Sequence, residues 1–201
     1  FSSDALTTGA NNTALGYASL GAATTGANNT ALGYAALDAL TTGIQNSGVG
    51  SNALGAVTTG NNNVGMGTGA GGGITTGSSN VAIGISALQT NAAGGANVAV
   101  GQDALYYNTG DNNTAVGHNA MVANTTGYEN VAVGGAAGDS ITTGLRNTVV
   151  GYAALTNDTL GTNSVAVGYA ALFAQNFTST TQTNNSALGH FAGGSVTTGT
   201  H

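Results

Sequence analysis

The sequence predicts an all-β chain, a parallel β-solenoid of about eleven coils of 17 residues each. Three observations lead there. A Gly closing the pattern Asn-x-small-aliphatic-Gly recurs at Gly16, Gly33, Gly50, Gly67, Gly84, Gly101, Gly117, Gly134, Gly151, Gly168 and Gly189, and eight of the ten intervals are 17 residues. Inside that pattern, Asn-Val-Ala-Val-Gly at 97–101 and 130–134 alternates with period two, which sends two Val side chains to one face and Ala to the other, as in a strand. The chain is 41% hydrophobic and 4% charged, and one such unit cannot bury its own apolar face, whereas units stacked along an axis can.

Each position of the unit is read against its anchor Gly. Four residues before it stands Asn in every copy except Ser164. The residue just before the anchor is aliphatic or Met throughout, from Leu15 to Leu188, and the residue two before is Ala or Gly except for Val149. Three residues after the anchor comes Ala, with Ser19 the exception. Seven before it lies the Gly of Thr-Thr-Gly, replaced by Gln182 in the last copy. A helix is excluded because Gly and β-branched residues recur where good helix formers are needed. Each unit therefore reads as two short strands joined at bends whose chemistry is supplied by Asn, Thr and Gly. The expected interior consists of the residues one and three before the anchor plus the Ala three after it, stacked in columns. Thr and Ser in the column three before the anchor would then need backbone partners. The opposite face, lined by Ala14, Ala31, Gly48, Gly65, Ala82 and Ala99, is expected to admit another chain closely.

The fourth residue after the anchor is Leu or Met in most coils and Gly at Gly71, Gly138 and Gly193. In those three, an aliphatic residue stands three positions on, at Ile74, Ile141 and Val196, so both arrangements are expected to fill one space. The repeat covers 1–201 as one domain, with partial coils at both ends and an insertion near 175–183. The opening Phe1-Ser2-Ser3 suggests a processed product or a segment of something longer.

Composition narrows the function. Arg146 is the sole Lys or Arg against seven acidic residues, a net charge of −6, so nucleic acid finds no cations to hold its phosphates. Zero Cys removes disulfides, thiolate metal sites and cysteine nucleophiles, and zero Pro removes a collagen helix. No run approaches ~20 apolar residues, so no membrane insertion is expected.

Asn-Val-Ala-Val-Gly-x-x-Ala and Asn-Thr-Ala-Leu-Gly-Tyr-Ala-Ala-Leu, with the intervening Thr-Thr-Gly, resemble the head repeats of trimeric autotransporter adhesins of the YadA type and the repeats of phage tail-fibre proteins. The resemblance spans essentially the whole chain. It implies a left-handed parallel β-roll, three chains wound side by side into a fibre, an extracellular, cell-surface or virion location, and a task of reach and attachment. The expected function is a structural or adhesive fibre segment without enzymatic activity or cofactor. Its expected partners are copies of itself, as trimer or filament, and a cell-surface glycan or protein receptor. The alternatives are a self-assembling extracellular filament, a glycan-binding module and an ice-binding solenoid.

Candidate chemistry is sparse. The position after the anchor carries Tyr17, Tyr34, His118, Tyr152, Tyr169 and His190, one column whose rings either stack on one another or offer a platform to a sugar. Neither His has a nucleophile and an orienting carboxylate in its local sequence. Gly67-Thr68-Gly69-Ala70-Gly71-Gly72 fits the dinucleotide pattern GxGxxG, but no helix pattern follows, so it reads as repeat structure. Asp4, Asp38, Asp103, Asp111, Glu129, Asp139 and Asp158 form no calcium motif and are expected at solvated bends. The Thr8, Thr25, Thr42, Thr59 and Thr76 row raises ice binding, although turn chemistry already explains Thr next to Gly.

Overall fold

The structure is a computed structural model that describes residues 5, 7–177, 179 and 182–199. Asp4 of the acidic set lies outside the described residues. The described residues hold eleven strands and no helix: β1 (Thr13–Leu15), β2 (Thr30–Leu32), β3 (Ser47–Val49), β4 (Val64–Met66), β5 (Val81–Ile83), β6 (Val98–Val100), β7 (Thr114–Val116), β8 (Val131–Val133), β9 (Thr148–Val150), β10 (Val165–Val167) and β11 (Ser186–Leu188). The chain forms two compact units, Phe1–Asn97 and Val98–His201.

In the first unit β1 to β5 pair in parallel and in chain order, each residue beside its equivalent one lap later, as in Ala14↔Ala31 and Leu15↔Leu32. The second unit repeats this from β6 to β11. The two irregular laps leave the register untouched. Val98 pairs with Thr114 and Val165 with Ser186, so the missing and the inserted residues are absorbed at corners. Stacked parallel coils of this kind are a β-solenoid, as the 17-residue period predicts.

Each lap contains one strand of three residues, where two were expected. The rest of the lap turns because its backbone alternates into the left-handed region: in the lap after Gly33, Ala35 has φ 50° and Leu37 φ 51°, and Gln45 before the next strand has φ 59°. The same three positions are left-handed in nearly every lap, which no extended strand tolerates. Successive laps still hydrogen-bond through these turns, for example Leu37 N–H to the Ala53 carbonyl at 3.1 Å and Ala35 N–H to the Tyr17 carbonyl at 2.8 Å. At the anchor the requirement for Gly is steric as well as conformational. Gly101 has φ +135°, and a Cβ there would meet the Gly117 carbonyl oxygen at 2.5 Å.

The faces of the sheet are the reverse of the sequence expectation. The middle residue of the strand, Ala31, Ala82, Ala99, Ala115, Ala132 or Val149, is fully buried, while the flanking residues point outward, with Leu15 66% and Met66 50% exposed. Val131 and Val133, expected inside, are each 38% exposed. The reason is the narrowness of the coil. The opposite wall is the Leu or Met four residues after the anchor, fully buried at Leu20, Leu54, Leu88, Leu105 and Met121. At Gly65 an added Cβ would already stand 2.7 Å from Leu54 Cγ. Where that wall is Leu or Met, a gap filled by one methyl group has no room for a second large side chain; Val149 is accommodated in a lap whose wall residue, eleven positions earlier, is Gly138. The small column therefore cannot serve as the surface where another chain approaches, and the outward Thr and Ser hydroxyls need no internal partner. Ala three after the anchor is inside as expected.

At Gly71 the expected exchange of volume with Ile74 is seen, although Leu37 with Leu40 and Leu54 with Val57 are buried together in their laps, so the two positions are not strict alternatives. A Cβ on Gly71 would lie 3.0 Å from Ile74 Cδ1 and 2.6 Å from Leu54 Cδ2, so Ile74 fills the space that a Leu takes in other laps. Gly138 stands in the same relation to Ile141, at 2.8 Å.

Candidate functional site

The most regular polar feature is internal. Asn29, Asn46, Asn63 and Asn80, four residues before successive anchors, are completely buried and form a ladder. Asn46 Oδ1 accepts the Asn63 backbone N–H at 3.0 Å and its Nδ2 at 3.1 Å, while Asn46 Nδ2 reaches Asn29 Oδ1 at 3.2 Å and the Gly60 carbonyl at 2.9 Å. The second unit carries the same ladder through Asn113, Asn130 and Asn147. An amide has paired donors and acceptors, so it alone among small side chains satisfies the laps on both sides. The recurrence of Asn was visible in the sequence; its role as an interior ladder was not, because Asn is also the commonest turn residue.

The ladder changes at Ser164. Its N–H still donates to Asn147 Oδ1 at 2.9 Å, but its hydroxyl meets Gln175 Nε2 at 3.1 Å and Thr183 Oγ1 at 2.5 Å. Gln175 Nε2 also donates to Asp158 Oδ2 at 2.6 Å, and Asn185 Nδ2 donates to Gln175 Oε1 at 2.7 Å. Asp158 is fully buried, not at a solvated bend. It stands where other laps place the buried Asn91, Asn108 and Asn124, and its Oδ1 accepts the Gly161 N–H at 3.1 Å as Asn91 Oδ1 accepts that of Gly94 at 2.7 Å. This cluster ties the insertion to its neighbouring laps.

The Thr-Thr-Gly corners separate their two hydroxyls. The first Thr donates to the carbonyl of the next lap's first Thr, as Thr24 does to Thr41 at 3.2 Å and Thr41 to Thr58 at 3.1 Å. The second, at Thr8, Thr25, Thr42, Thr59 and Thr76, is exposed, one hydroxyl per lap in single file. Gly67 to Gly72 lies in bend and turn with β5 following, so the structure builds no helix start there.

The column after the anchor is on the surface, and its aromatic members stack. Tyr17 and Tyr34 have ring centroids 5.5 Å apart and 12° between planes. Tyr152, Tyr169 and His190 form a run at 5.7 and 5.2 Å, with Phe191 edge-on to both Tyr169 and His190. Each stacked face is a face withdrawn from any ligand, and Tyr169 has both covered. His118 belongs to the same column but is flanked in register by Gln102 and Gly135.

A second surface feature runs between the residues two and five after the anchor. In the first unit it is a groove of about 470 Å³ lined by Asp38, Asn52, Gly69, Gly72, Ser86 and Gln89 among others, with a floor of Gly and Ala. In the second unit, residues at the same phases line a separate cleft of about 260 Å³, formed by Asp103, Tyr106, Tyr107, Asn119 and Val122. Tyr106 and Tyr107 carry no signal in the repeat, because Tyr107 stands where the other laps place small or short polar residues. At a further corner, Glu129 Oε2 accepts from Arg146 Nε at 2.8 Å, and the guanidinium lies 5.6 Å from the Tyr128 ring centroid. The hydrogen bond and charge of Glu129 raise the Arg146 pKa above its usual value.

Among the described residues no three His, Cys, Asp or Glu are grouped to hold a metal ion, and no helix is long and apolar enough to cross a membrane. No protein-family model, curated protein or solved structure matches the chain.

Proposed function

We propose that the chain is a structural segment of an extracellular fibre, without enzymatic activity, whose outward sheet face packs against further copies of itself. The observation that carries this reading is the chemistry of that face. Two outward side chains on each of eleven strands make 22 positions, and all are Val, Leu, Ile, Met, Thr or Ser. A strand face bathed in water ordinarily carries charge, and several of these residues are large, apolar and more than a third exposed. Removing such a face from water gains roughly 25 cal/mol per Å² of apolar area. A repeat in which each lap is held to the next by backbone hydrogen bonds, the Asn ladder and the Thr corners supplies stiffness, which suits reach. The resemblance to YadA-type head repeats and tail-fibre repeats points the same way and favours three chains.

The test is the state of association. Purified chain is expected to elute as an oligomer of fixed mass by light scattering and to appear as multi-chain rods by electron microscopy. Leu32→Glu with Val133→Glu is expected to give a folded monomer. A wild-type chain that stays monomeric at about 100 µM, well above the micromolar Kd of a modest interface, refutes the reading. Open-ended polymers would favour the self-assembling filament over the closed trimer.

A further inference from the structure

We infer that the cleft formed by Asp103, Tyr106, Tyr107, Asn119 and Val122 is a binding site for a neutral pyranose sugar. The first argument is that the repeat does not explain these residues. Six positions after the anchor the ten other laps place Ala, Gly, Ser, Thr or Asn, and the lap after Gly101 places Tyr107, which is 55% exposed and so contributes little to the interior. This is also the lap shortened by one residue, at the corner directly after Asn108, where one Thr of Thr-Thr-Gly is missing. The Tyr pair and the shortened corner occur together.

The second argument is geometric. The Tyr107 N–H donates to the Val122 carbonyl at 3.3 Å and the Asn119 N–H to the Gln102 carbonyl at 3.0 Å, so ladder hydrogen bonds fix both walls. Tyr106 and Tyr107 meet at 4.6 Å between centroids with 67° between planes. In a perpendicular pair one ring offers only its edge, so the pair covers one ring face where the Tyr17–Tyr34 stack covers two. Asp103, whose Oδ2 accepts from Gln102 Nε2 at 3.1 Å, and Asn119 are both half-buried beside the rings.

The third argument is chemical complementarity. A pyranose carries a patch of polarised C–H bonds suited to the negative face of an aromatic ring, and a rim of hydroxyls. A carboxylate accepts hydroxyl protons in short, charge-assisted hydrogen bonds, and an amide both donates and accepts. The volume of about 260 Å³ lies just under the range of ~300–1,000 Å³ typical of drug-sized ligands, which suits one sugar ring. An anionic ligand would face Asp103 with no cation among the lining residues. A quaternary ammonium ion is disfavoured because the rings touch each other and do not stand apart to sandwich it, and because it cannot use the Asn119 amide.

The experiment is saturation-transfer NMR on the whole chain with the methyl glycosides of glucose, galactose, N-acetylglucosamine and rhamnose, and with choline, each at about 10 mM, tenfold above a millimolar Kd. At least one glycoside is expected to receive saturation. Tyr107→Ala and Asp103→Asn are each expected to weaken it about tenfold or more, with Tyr107→Phe and Tyr152→Ala close to wild type. In wild-type chain labelled with 3-fluorotyrosine, the signal removed by Tyr107→Phe is expected to shift on titration with that glycoside, which tests the site even if an Ala variant misfolds. No saturation for any glycoside, saturation for choline alone, or binding that survives Tyr107→Ala with Asp103→Asn overturns the inference. The fibre reading does not depend on it, since association is measured separately.

Discussion

Replacing Asn63 by Ala tests whether the buried amides hold one lap to the next. In the wild-type chain Asn63 Oδ1 accepts the Asn80 backbone N–H at 3.0 Å and Asn80 Nδ2 at 3.1 Å, and Asn63 Nδ2 donates to Asn46 Oδ1 at 3.1 Å and to the Gly77 carbonyl at 2.9 Å. After substitution, Asn46 Oδ1 keeps the Asn63 backbone N–H and Asn80 Nδ2 keeps the Gly94 carbonyl. The Asn80 N–H and the Gly77 carbonyl lose the Asn63 partner in the buried interior. Each such buried group costs about 1–3 kcal/mol, so a loss of roughly 2–6 kcal/mol is expected, comparable to the total stability of many domains. Urea unfolding followed by circular dichroism reads the total, and hydrogen exchange at the Asn80 N–H reads the local effect. Asn63→Asp keeps an acceptor for the Asn80 N–H but loses both donors and buries a charge, so it is expected to be no milder than Ala. The exposed Thr59→Ala serves as control within about 0.5 kcal/mol of wild type. A shift below about 0.5 kcal/mol for Asn63→Ala, with unchanged exchange at Asn80, would show that the ladder is incidental.

Gly71→Leu is expected to destabilise by about 1–3 kcal/mol through overpacking against Leu54 and Ile74, and the double variant Gly71→Leu, Ile74→Ala to recover part of that, as a thermal-unfolding double-mutant cycle would reveal. Leu105→Ala removes a fully buried wall of the coil and should cost about 2–5 kcal/mol in the same assay. Gly101→Ala must force the Gly117 carbonyl away and adopt φ +135°, and is expected to cost about 3 kcal/mol or more or to abolish soluble expression. Tyr34→Ala breaks a stack at 5.5 Å and should cost only about 0.5–1.5 kcal/mol by urea titration, with the sheet unaltered by circular dichroism.

The candidate sites divide by whether they obey the repeat. The Tyr and His column could be read directly, because a residue that recurs at one phase of a parallel solenoid must sit beside its equivalents in the next lap. Stacking at Tyr17–Tyr34 and Tyr152–Tyr169 follows from phase and inter-strand spacing alone. The Asp103–Tyr107 cleft could not be read so: its residues stand two, five and six after the anchors of two laps, and these phases meet only because the turns curl them together. Asp158 misled for a related reason. A lone carboxylate in a polar sequence context resembles a surface residue, and only the alignment of its lap with those of Asn91, Asn108 and Asn124 places it inside.

The period, the parallel in-phase pairing and the corners that must be Gly are legible in the residues alone, because each of these repeats lap after lap and a repeated residue in a stacked coil meets its own kind. So is the difference between the two sides of each strand. Which side is the interior depends on how the laps pack across the coil. Period-two alternation is symmetric with respect to inside and outside, and the usual assignment of larger apolar residues to the core assumes a core wide enough to hold them. Here the opposite wall stands so close that a Cβ added at Gly65 would touch Leu54. In most strands the middle residue is a buried Ala or Gly, and the flanking Val, Leu, Ile and Met are turned outward to the face that remains to be covered.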